Sequence, residues 1–201
     1  MSRLTIIVAA TKSNGIGQNS QLPWRLAKEM AYFARATSNA PSGASNAVIM
    51  GRNTWESIPT KFRPLRNRVN IIVSRNSSFD AGAARTAGSL EAAIAHMNSE
   101  RDSISRGFII GGATLYAESL ALPPSSSIGF VDRILLTRIL SPAFDECDVF
   151  MPDFLGCTEG GSGWKRATHD ALQAWVGFEV AEGTQEEKGI QYEFQMWVRE
   201  L

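Results

Sequence analysis

Short runs of apolar and β-branched residues recur along the chain at positions 4–10, 47–50, 69–73, 107–110 and 130–139, and several are followed by stretches with helical spacing. That alternation predicts an α/β fold in which a predominantly parallel central β-sheet is flanked by helices. The strongest helical patterns lie at 24–36, 90–97 and 113–120. Beyond them the pattern changes. Residues 175–182 and 190–199 read as two strands separated by the polar segment 183–189, an antiparallel C-terminal hairpin added to the sheet. Segments 41–46, 123–129 and 156–163 read as surface loops. None is long or charged enough to separate domains, so a single domain over 1–201 is expected.

Composition narrows the possible partners more than the fold. The 44% of apolar residues suffices for one sizeable core. Lysine and arginine total 20 and so do aspartate and glutamate, so no global field draws the chain to nucleic acid or to an anionic membrane, and any anion site must be local. Cys147 and Cys157 have no companions at metal-ligand spacing, which predicts two free thiols and no metal site. The apolar run at 4–10 is interrupted by Thr11 and Lys12 and is too short for a signal or a membrane span, so a soluble, cytoplasmic protein is expected.

Four features carry chemistry. The first, Gly15-Ile16-Gly17, follows a strand and invites the dinucleotide fingerprint G-x-G-x-x-G. The third glycine is missing and Leu22-Pro23 intervenes before any helix, so a mobile glycine loop ending at Trp24 is the better reading. The second is a carboxylate on an apolar stripe: at helical period Leu26, Glu29, Met30 and Phe33 share one face, while Arg25, Lys28 and Arg35 lie towards the other. A carboxylate facing the interior must neutralise, find a partner or bind something with matching donors.

The third feature is a pair of strand-to-helix junctions, Met50-Gly51-Arg52-Asn53-Thr54 and Ile110-Gly111-Gly112-Ala113-Thr114, where free amides at a helix start could meet phosphate. Arg52, and Ser74-Arg75 past another strand, could add charged and hydroxyl donors. The fourth is the basic segment 63–68, in which a guanidinium could clamp a carboxylate bidentately or simply form a solvated turn.

Together these motifs resemble the dihydrofolate reductase family from one end of the chain to the other. The matching pieces are 7–10, 15–17, Leu22-Pro23-Trp24, Glu29 with Phe33, 48–55, Ser57-Ile58-Pro59, Arg63-Pro64-Leu65, Ile110-Gly111-Gly112, Leu136-Thr137-Arg138 and Glu186-Glu187-Lys188-Gly189-Ile190. Length and loop insertions look like the eukaryotic, fungal type. The resemblance implies NADPH-dependent hydride transfer to dihydrofolate, in support of one-carbon metabolism. It makes Glu29 the catalytic carboxylate, supported by the Thr137 hydroxyl, with Leu22 and Tyr116 close to the reacting rings.

By the same resemblance, Ile7, Val8, Met30, Phe33, Ile58, Leu65 and Ile110 wall the substrate, and Arg68 holds the α-carboxylate of its tail. Ala10, Ile16, Gly17, Gly111, Gly112, Ala113, Thr114 and Leu115 face the cofactor's nicotinamide and pyrophosphate; Gly51, Arg52, Asn53, Thr54, Ser74 and Arg75 address the adenosine end. Asn53 stands where many relatives have a basic residue, which shifts recognition of the 2′-phosphate to Arg52 and Arg75. Small-molecule partners, antifolates among them, and a monomer are implied. His96 and His169 are expected at the surface, leaving water as the proton source. Two other readings stay open: a pyrimidine reductase of riboflavin synthesis with the same fold, and a nucleotide-binding protein without catalysis.

Overall fold

Apolar residues on both sides of the strand pleat mark strands covered on two faces, and the chain uses them in that way. A computed structural model describes residues 2–156 and 163–199. In chain order the strands and helices are β1 (Ser2–Thr11), β2 (Gly15–Gly17), α1 (Ala27–Ser38), β3 (Ser45–Gly51), α2 (Arg52–Ser57), β4 (Arg68–Val73), β5 (Arg85–Ala87), α3 (Leu90–Ser99), β6 (Ile104–Ile109), α4 (Ala113–Ala121), β7 (Gly129–Ser141), β8 (Val149–Phe150), β9 (Trp164–Arg166), α5 (His169–Val176), β10 (Gln185–Glu187) and β11 (Ile190–Arg199). The strand order of the main sheet is β10-β11-β7-β1-β6-β3-β4-β5, with β9 beside β11. This is the expected α/β architecture, with a mostly parallel sheet.

The chain divides into two compact units, Met1–Thr5 with Thr37–Val131, and Ile6–Ala36 with Asp132–Leu201. In the first, β3 pairs in parallel with both β4 and β6, and β4 with β5. Its core holds Val48, Ile49, Ile71, Ile72, Phe108 and Ile109, none of them exposed, and α3 lies against β4 and β5 while α4 lies against β3 and β6. Ser89 starts α3 by accepting a hydrogen bond from the Ala92 amide, the ordinary serine cap.

In the second unit β11 runs antiparallel to β7, β9 and β10. Two expectations fail here. Residues 175–182 are not a strand: α5 occupies His169–Val176, capped by Thr168 accepting from the Ala171 amide and ended by Gly177 at φ 79°. Leu172 and Val176, one helical turn apart, supply its buried face. The hairpin is therefore β10 with β11, so the supposed separator 183–189 contains a strand, and its turn is Lys188-Gly189, both at positive φ.

The second failure concerns 24–26, which are not helical; α1 begins at Ala27. Trp24 and Leu26 are both buried with Ile139 and Tyr192. Side chains two apart reach one face only in extended backbone, so packing overrides the helical spacing. Cys147 is a buried free thiol, while Cys157 and most of the 156–163 loop lie outside the described residues.

Candidate functional site

In the second unit Glu29 sits in the first turn of α1 and is 6% exposed. The Thr137 hydroxyl, itself buried on β7, donates to Glu29 Oε1 at 3.3 Å. Burial drives the carboxyl up to about 7, against the lowering effect of the Thr137 hydrogen bond and with a further upward push from the charge of Glu187. Desolvation wins because one hydroxyl replaces little of the hydration an ionised carboxylate loses. Glu29 thus exchanges its proton near neutral pH.

The buried face of α1 differs from the expected stripe. Glu29, Tyr32 and Ala36 are buried, Phe33 is half-buried, and Met30 is 48% exposed. Tyr32 was missed although it stands one turn after Glu29; its ring lies 4.3 Å from that of Phe194. Ile7, Val8 and Ala10 are buried on β1, Ile16 is half-buried and Leu22 is half-exposed.

Gly15 and Gly17 form a short strand against β8 rather than a strand-to-helix junction, in line with rejecting the dinucleotide fingerprint. Gln18 and Gln21 exchange backbone hydrogen bonds around Asn19 and Ser20, both at positive φ, so the loop is a tight hairpin. Arg138 ties it down by donating to the Thr11 carbonyl and to Asn14 Oδ1. His169 is half-buried rather than at the surface, with Nε2 2.8 Å from the Val180 carbonyl, because α5 folds back where a strand was expected. His96 is exposed.

In the first unit the two glycine junctions are neighbours. The Gly51 amide donates to the Gly111 carbonyl at 2.8 Å, and the Gly111-Gly112 peptide is cis. Both α2 and α4 start at glycine, Gly51 and Gly112, with no side-chain cap, so side chains leave their first amides to other acceptors. A Cβ on Gly111 would lie 3.3 Å from Thr54 Oγ1 and from the Tyr116 hydroxyl, which makes the turn a close backbone cradle. At φ 122° that residue also adopts a conformation open in practice to glycine alone. Gly111→Ala is expected to destabilise the protein by about 1–3 kcal/mol; an unchanged denaturant midpoint would contradict the strain argument.

Around this cradle Leu115 and Tyr116 are buried, Ala113 and Ile110 half-buried, and Thr114 exposed. Thr54 and Ser74 are half-buried, Asn53 and Arg75 exposed. Arg52, also exposed, sits 3.9 Å from Glu56 one turn on, an ion pair of little energetic weight.

Arg68 is held at the start of β4. Its Nε donates to the Arg66 carbonyl and its Nη1 to Thr37 Oγ1, both at 2.8 Å. Asn70 orders the preceding turn: it accepts from the Leu65 amide and donates to the Leu65 and Arg68 carbonyls. This arrangement fixes a guanidinium rather than leaving a solvated turn. Leu65 and Ile58 are half-buried nearby in sequence. Sequence reasoning gave Asn70 and Arg138 no role, and only an appetite for capping backbone groups could have flagged them.

A sequence model of the family described as dihydrofolate reductase matches residues 3–171. The dihydrofolate reductases of Pneumocystis carinii and Cryptococcus neoformans var. neoformans are 43% and 45% identical to this chain, over 98% and 97% of it and 97% and 94% of their own lengths. Among solved structures, Schistosoma mansoni dihydrofolate reductase is similar with a TM-score of 0.77 and 34% identity, over 98% of both chains. With buried Glu29 on α1, paired glycine junctions and a match through most of its length, the chain belongs to the dihydrofolate reductase family.

Proposed function

We propose that this dihydrofolate reductase uses NADPH to reduce 7,8-dihydrofolate to tetrahydrofolate, with Glu29 binding the pterin ring. The observation that carries the reading is the buried Glu29 carboxyl, held by Thr137 and poised at about 7. Ionised, it accepts hydrogen bonds from an amino group and an adjacent ring N–H. Protonated, it can donate that proton to a ring nitrogen of the bound heterocycle. The family match does not favour the riboflavin-pathway pyrimidine reductase, and a non-catalytic role leaves the cost of burying Glu29 unexplained.

The close backbone at Gly111 and the uncapped starts of α2 and α4 suit a bound pyrophosphate. Gly51, Gly112, Ala113 and Thr114 would hold it, Ala10, Ile16, Gly17 and Leu115 would flank the nicotinamide, and Thr54 and Ser74 the adenosine end. The cofactor supplies the hydride. Residues of this chain do the rest: Glu29 orients the ring, Leu22 and Tyr116 limit water near the reacting atoms, and solvent delivers the proton, since no histidine is assigned to that task.

Ile7, Val8, Met30, Phe33, Ile58, Leu65 and Ile110 would contact substrate and antifolates alike. A monomeric, cytoplasmic protein fits this reading; among the described residues no helix is long and apolar enough to cross a membrane.

Oxidation of NADPH by the purified protein should require dihydrofolate. Oxidation with a ribosylaminopyrimidine instead would overturn the assignment. Cofactor choice has its own test. Arg52→Ala with Arg75→Ala should weaken NADPH binding by about tenfold or more while leaving NADH little changed, the loss of charge-assisted bonds to one phosphate. Equal weakening of both cofactors would place these arginines elsewhere.

A further inference from the structure

The Glu186-to-Ile190 motif has no part in the chemistry above, yet its turn meets the helix that carries Glu29. α1 lacks a local cap: Arg25 and Leu26 precede it, and neither side chain can accept a hydrogen bond from its first amides. The Glu187 carboxylate does so from the other end of the chain, Oε1 accepting from the Ala27 amide and Oε2 from the Lys28 amide. One residue on, Lys188 Nζ donates to the Arg25 carbonyl at 3.4 Å. The hairpin turn thus grips both the segment entering α1 and its first two amides, directly before Glu29.

We infer that Glu187 is a positioning residue for the reaction, a cap supplied by β10 that fixes the first turn of α1 and with it the carboxyl of Glu29. The inference rests on the reading of Glu29 given above. A carboxylate is the suitable group, because it satisfies two orphan amides at once and its charge meets the positive end of the helix. Two features support it: the helix amides hold the Glu187 carboxyl below the usual range, and its negative charge pushes Glu29 up. The charged and titratable groups coupled to this pair are Lys28 and Tyr32 on α1, Lys188 in the turn and Tyr192 on β11, with the Thr137 hydroxyl on β7.

Glu187→Gln keeps one acceptor and removes the charge. In that variant the carboxyl carbon of Glu29, followed by NMR, should titrate at lower pH than in the wild type, and the falling limb of the pH profile for hydride transfer should move down with it. Loosened packing would lower it too, by letting water reach Glu29, so the Tyr32 and Phe194 ring signals are followed as well. They should stay in place when only the Glu187 charge is lost, and a drop that comes with their loss overturns the inference. An unchanged Glu29 midpoint in the folded variant overturns the inference. A shifted midpoint with an unmoved rate profile supports the hold of Glu187 on Glu29 and instead overturns the role given to Glu29.

If the variant does not fold, the wild type still decides. The amide protons of Ala27 and Lys28 should shift together at an acidic midpoint as Glu187 ionises. Absence of that joint movement overturns the proposal.

Discussion

Glu29→Gln is expected to slow hydride transfer by roughly 10²–10⁴-fold, the range for losing a positioned acid–base group, and to abolish the fall in rate as pH climbs through about 7. Gln can still accept the Thr137 hydrogen bond, so the local structure should survive while the titrating group is gone. The same substitution should make the protein more stable. A carboxyl raised from 4.5 to about 7 binds its proton more tightly in the folded chain than in the unfolded one, so wild-type stability falls as pH rises through that window. Above it the difference amounts to about 3 kcal/mol, and below about 4.5 it vanishes. Thermal or denaturant unfolding of both proteins across this range measures it. Similar rates and parallel stability curves would remove Glu29 from both roles.

Arg68→Ala should raise the Michaelis constant for dihydrofolate by about 10–150-fold, the equivalent of losing charge-assisted hydrogen bonds to a carboxylate. Cofactor affinity should stay nearly constant. The geometry favours this outcome because Thr37, the Arg66 carbonyl and the Asn70-braced turn hold the guanidinium before any ligand arrives, which lowers the ordering cost on binding. A folate analogue lacking the glutamate tail should bind wild type and variant alike. If it discriminates between them, Arg68 serves the fold rather than the tail.

Both predictions start from residues visible in the sequence. Glu29 could be singled out because its helix places an acid on an apolar face, yet the same spacing put Met30 beside it and overlooked Tyr32. A helical wheel locates a face only to within a residue either way; the rings of Phe194 and Phe178 then determine that Tyr32 is covered. The glycine junctions were equally legible, whereas their adjacency, with the Gly51 amide on the Gly111 carbonyl, depends on β3 and β6 pairing in parallel. The strand forecast at 175–182 failed for a local reason: a threonine cap and two buried residues one turn apart make α5, and hydrophobicity without period cannot separate the two.

By itself the sequence determined the long strands β1, β3, β4, β6, β7 and β11, the fold class, the acid on the helix face, the glycine turns and the basic segment, because periodicity, backbone permissiveness and charge are properties of short stretches. Only the tertiary structure decided where α1 begins, what caps it and how strongly Glu29 holds its proton. Each of these depends on groups distant in the chain, Glu187, Thr137 and the Trp24 cluster, whose approach no local pattern encodes.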